Sequence, residues 1–193
     1  MIDFKELEEK YVKCSHFKRR EIIISEMDAL AKTGLSCQSC EGFCCTFSYN
    51  SMQVTPLEAL DTYSFLKNNN MINEELIESL KSCIKAYRLD VEISLGKSGE
   101  FRRHYTCPFY NAGPKGCSIS RKSKPYGCLG FNALEENVSV EGKCTSNLEV
   151  LRKREQVLDE KAINDEVKSI LGLYWDKKNY PVAVLNLIEI FKQ

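Results

Sequence analysis

Ten cysteines in 193 residues constrain this chain more than any other feature. Eight of them fall into two sets of four: Cys37, Cys40, Cys44 and Cys45, in the form C-x2-C-x3-C-C, and the wider-spaced Cys107, Cys117, Cys128 and Cys144. In a C-x2-C unit the two intervening residues let the chain turn so that both sulfurs face one ion, with backbone amides free to hydrogen-bond to sulfur. A single buried cysteine is usually a small hydrophobe, but four within the nine residues 37–45 do not suit that reading. All eight are therefore expected to be metal ligands, with Cys144 the most peripheral. Neighbouring side chains tend to point apart. The adjacent Cys44 and Cys45 thus suit either two metal positions or one ligand beside a thiol held for another role. Clustered thiolates select soft metals as a class and leave the element open: an iron–sulfur cluster, [4Fe–4S] before [2Fe–2S], or tetrahedral Zn2+.

That reading depends on reducing conditions. The opening MIDFKELEEKYVK is charged from its third residue and has no apolar stretch that would form a signal-peptide core. No apolar run approaches the roughly 20 residues a membrane helix needs. A cytoplasmic protein without membrane association is expected, and there dense patterned thiols bind metal more often than they form disulfides. Lys+Arg and Asp+Glu both number 27, which removes the electrostatic reason to expect nucleic acid as a partner.

Hydrophobic residues make up 43% and charged residues 28%, values of an ordinary globular domain. The length fits one domain, 1–193, with a cysteine-cluster core over about 35–145 and a helical segment over 145–193. Periodicity predicts helices over 3–13 and 17–33, the second stopped by Gly34. Thr55 as cap and Pro56 as first residue begin a helix to about Lys67. Asn73 begins another with Leu76, Leu80, Ile84 and Tyr87 on one face. Residues 99–106 read as extended. The stretch 107–144 is broken by glycines and prolines and reads as a second loop region. Helix is expected from Thr145 to about Leu171, and again from Pro181. The fold class is mainly α: helices flanking an irregular cysteine-rich core, with at most short strands. Ordering so much loop costs entropy that a bound metal offsets.

Other residues invite weaker readings. Cys14 and Cys83 read as core packing. Arg102, Arg103, Arg121, Lys122 and Lys124 lie near second-set cysteines; they either favour thiolates or form a solvated face. His104 is a ligand or proton carrier, or else a partly exposed histidine with neither role.

The stretches CQSCEGFCC, MQVTPLEA, CPFYNAGPKGCSI and KPYGCLGF resemble the bacterial and archaeal cysteine-cluster proteins described as zinc- or iron-chelating domains, a family that includes flagellin lysine-N-methylases. The resemblance spans about Cys37 to Cys144. It marks Cys37, Cys40, Cys44, Cys45, Cys107, Cys117 and Cys128 as chelating positions, and Cys144 resembles a further downstream cysteine. Lys124 and Leu129 stand where arginines are usual, and Ser120 where a tyrosine is. The resemblance implies a cofactor class more firmly than a reaction. It allows an iron–sulfur enzyme acting on a protein lysine. The residues equally allow a noncatalytic zinc-stapled module, a metal sensor or an electron carrier.

Overall fold

The structure is a computed structural model that describes residues 3–33, 42–91, 102–111, 116–133, 144–146, 148–153 and 160–192. Its first element is longer than the periodicity suggests. Helix α1 (Phe4–Leu7), capped by Asp3, which accepts from the Lys5 amide at 2.8 Å, runs through a π-helical stretch (Glu8–His16) into α2 (Phe17–Lys32). The break expected between residues 13 and 17 is absent. No glycine or proline stands between Asp3 and Thr33 to end the helix, and the wider π turn absorbs the shift in hydrophobic register.

Helix α3 (Pro56–Asn68) starts where expected. Thr55 Oγ1 accepts from the Glu58 amide at 3.4 Å, and the Glu58 carboxylate accepts from the Thr55 amide at 2.9 Å, a capping box. Nearly every face of this helix is buried: Leu57, Leu60 and Leu66 have no exposure, each burial stabilising the fold by about 1.5–3 kcal/mol. It is the central helix, packed on the π-helical stretch, α7 (Glu160–Ile170) and α8 (Tyr180–Ile190). Helix α4 (Glu74–Tyr87), capped by Asn73, packs on the other side of α8 through Leu80 and Cys83. A second, smaller core joins Ile23 and Met27 of α2 to Tyr126 and Leu129 of the short helix α5 (Tyr126–Leu129).

Strands are short and peripheral. β1 (Gln53–Val54) pairs antiparallel with β4 (Lys178–Asn179), and β2 (Phe131–Ala133) with β3 (Cys144–Ser146). Strand β3 corrects the helix expected from Thr145: Thr145 lies opposite Asn132, and helix resumes as α6 (Leu148–Lys153) and then α7. The β-branched Thr145 fits a ladder better than a helix start. The protein is a mainly helical single domain, as its sequence implies. No helix among the described residues is long and apolar enough to cross a membrane.

Candidate metal centre

The described part of the first cysteine loop is a tight turn. Gly42 takes φ +80°, and a 3-10 turn over Phe43–Cys45 follows, closed by the Cys45 amide on the Gly42 carbonyl at 2.8 Å. A β-carbon on Gly42 would stand 2.8 Å from Tyr110 Cε2 and 2.9 Å from Gly116 Cα. Glycine is needed there for its backbone angle and for the close approach of the second loop. The turn also brings the neighbouring thiols to one side. In a 3-10 turn successive side chains are about 120° apart and not opposed as in a strand, and both Cys44 and Cys45 line the same cavity.

Residues 102–107 run alongside this turn. The Tyr105 amide donates to the Asn50 carbonyl at 3.0 Å, Asn50 Nδ2 donates back to the Tyr105 carbonyl at 3.0 Å, and the Cys107 amide donates to the Cys45 carbonyl at 2.7 Å. That last bond fixes Cys107 against Cys45. The chain then folds back: Tyr110 bridges Cys117, and the Ser118 amide donates to the Phe109 carbonyl at 2.9 Å, which brings Cys117 over Cys107. Fully buried Phe109 packs 5.2 Å from the Tyr180 ring and anchors this reversal in the main core.

Cys128 arrives on α5. A four-residue helix has little stability of its own, and this one is held at both ends by tertiary contacts: Tyr126 and Leu129 bury against α2, while the Tyr126 amide donates to Glu58 Oε1 at 2.8 Å. Buried Glu58 therefore serves two helices, its other oxygen capping α3. The spacing Thr55-x-x-Glu58 signals the cap, but nothing local signals the bond to Tyr126.

Cys44, Cys45, Cys107, Cys117 and Cys128 thus come together on a cavity of about 570 Å³, and none of them is in a disulfide. The Cys45 thiol lies within hydrogen-bonding reach of Cys107, Cys117 and Cys44, which pushes its pKa up. Cys117 and Cys44 move the other way. The hydrogen bond from Cys45, helped by the charge of Lys124, holds Cys117 down at about 6 and Cys44 at about 7. Burial, then the neighbouring thiols, pushes Cys128 up. Burial disfavours the Lys124 ammonium, but the surrounding thiolates, Cys117 foremost, outweigh it and raise its pKa. As they stand, no three Cys, His, Asp or Glu side chains among the described residues are arranged to hold an ion together.

The remaining expected site residues divide. Cys37 and Cys40 lie outside the described residues. Cys144 sits opposite Ala133 in β3, and its side chain lies outside them too, as does that of Cys14. Cys83 is a core residue whose thiol donates to the Thr106 carbonyl at 3.4 Å, and burial pushes its pKa up to about 12. His104 is exposed; its Nδ1–H donates to the Phe47 carbonyl at 3.1 Å, and it is not among the residues lining the cavity. Of the basic residues, Lys124 acts on the thiols, Arg102 lines the cavity, and Arg121 pairs with Asp28 at 2.7 Å on α2. Compared with known proteins, the chain matches no family model, no curated protein and no solved structure.

Proposed function

We propose that this is a cysteine-cluster protein that binds an iron–sulfur cluster or a zinc ion through thiolates of its two cysteine loops, Cys44, Cys45, Cys107, Cys117 and Cys128 among them. The carrying observation is the convergence of these free thiols, from three stretches of chain, on one cavity wall. Their chemistry fits: two are depressed toward the ionised form a ligand needs, and the half-buried Lys124 offsets the accumulated charge. Loading requires the thiols to deprotonate, and any S–H donor among them is lost in that step. Such a centre supplies electron transfer or Lewis-acid chemistry when bound. The cavity beside it favours a site that a small molecule reaches over a closed structural staple. The absence of disulfides among the described cysteines supports the expected reducing, cytoplasmic setting. A lysine-methylating activity rests on the sequence resemblance alone; the noncatalytic alternative is a metal-sensing or electron-carrying module.

The test is anaerobic purification followed by visible absorption and by metal and acid-labile sulfide analysis, on the wild type and on Cys107→Ser. Brown protein with stoichiometric iron and sulfide, or colourless protein with stoichiometric zinc, either being lost in the variant, supports the reading. Metal-free wild-type protein from cells supplied with iron and zinc, which also takes up neither on reconstitution, sinks it.

A further inference from the structure

The cavity has a second character that the thiols do not explain. Arg102, Lys124, Arg152 and Lys177 all line it, and among the described lining residues the only carboxylate is Glu58. Both oxygens of Glu58 bond the Thr55 and Tyr126 amides, and it makes no ion pair with any of the four among the described residues. Lys124 is accounted for by Cys117 and Cys44. Arg102, Arg152 and Lys177 are exposed, and none is among the leading charges acting on the thiols. They pair with no carboxylate among the described residues. These three cations come from distant points in the chain, before Cys107, on α6 and ahead of β4, yet line the one cavity, and as exposed residues they lie on its solvent side.

Deeper in, the lining turns apolar, with Met52, Ile119, Pro125 and Phe131. A volume of about 570 Å³ is that of a small-molecule site, where an apolar wall supplies contact and a few charged groups fix orientation. Three cations with no carboxylate partner among the described residues raise the local potential of one cavity and attract anions, and arginine's planar fork matches the oxygens of a carboxylate or phosphate.

We infer that this cavity binds a small organic anion, its carboxylate or phosphate held by Arg102, Arg152 and Lys177 and its apolar body lying against Met52, Ile119 and Phe131. The inference goes beyond the thiol centre: it stands on the charge and shape of the wall and holds for any metal the thiols carry.

Titration calorimetry of the full chain as purified, with 1-naphthyl phosphate, 1-naphthoate and 1-naphthol, tests it. At least one of the two anions binds, with naphthol about tenfold weaker or worse, and added salt weakens the anion. A preference for the phosphate assigns organic phosphates as the ligand class, and a preference for naphthoate assigns carboxylates. Arg102→Gln combined with Lys177→Gln, both exposed positions, weakens the anion about tenfold or more with an unchanged circular dichroism spectrum; Lys161→Gln, away from the cavity, leaves it unchanged. Binding of naphthol as tight as that of either anion, absence of binding by both anions, or an unaffected double variant overturns the inference.

Discussion

The α3–α8 core and the thiol-bearing loops sit side by side and are held by opposite means. Around α3 and α8, order comes from area: Leu57, Leu60, Leu66, Val184 and Leu187 have no exposure, and their apolar side chains hold by contact alone. In residues 42–50, 102–111 and 116–129 the apolar anchors are few, chiefly Tyr105, Phe109, Ile119, Tyr126 and Leu129, and the path is set by directed bonds such as Cys107 to Cys45 and Tyr105 to Asn50. Hydrophobic burial is non-directional and tolerates small shifts, whereas hydrogen bonds fix position and are lost abruptly. A scaffold of the first kind carries the second, and the chemistry sits on the second.

This contrast is open to direct challenge, beginning with the largest effect. Leu60→Ala is expected to cost about 2–5 kcal/mol of global stability, read by denaturant melts, and to accelerate amide exchange in α3 and α8 as strongly as in the loops. Exchange raised in the loops alone would mean that the loops fold apart from the core. Next, in metal-free protein at pH 7, iodoacetamide is expected to label Cys117 at least about a hundredfold faster than Cys83, since thiolate fraction outweighs the lower nucleophilicity of the more acidic thiol. With Cys117 near 6 and Cys83 near 12, labelling of Cys117 should fall as the pH drops through 6, the thiolate being lost there. Equal rates, followed by mass spectrometry, would break the picture of a polarised thiol wall.

Gly42→Ala should cost about 2–3 kcal/mol, from the left-handed backbone angle and the close contact with Tyr110 and Gly116. Its signature sharpens the comparison: the Tyr105 and Cys107 amides should exchange faster while α8 amides do not. Smallest is Glu58→Gln, about 1–3 kcal/mol, because the amide group presents a donor to one of two backbone donors. Thermal melts check the magnitude, and retention of full stability would show that the two bonds do not matter.

The helices were legible because their signals are local. Thr55-Pro56 and Asn73 mark the starts of α3 and α4 where the caps form, and the stripe through Leu80 and Ile84 is the face that packs. The cysteine pattern singled out the residues that meet at the cavity, since loop cysteines have little reason to be where they are except one another. What escaped was set by partners distant in sequence. Thr145 is a strand residue because Asn132 lies across from it, and α1 joins α2 because the π stretch packs on α3. Glu58 reads as a cap and nothing more until Tyr126 is placed beside it. The cations at the cavity mouth are spread over 76 positions, from Arg102 to Lys177, so no window of sequence contains the feature they make.

The shared carboxylate of Glu58 makes the thiol wall and the scaffold a single mechanical unit. Any shift of α5, and with it Cys128, pulls on the first turn of the central helix. A change in the packing of the thiols is therefore felt as strain where α3 begins, and the buried middle of the scaffold registers what happens at its edge.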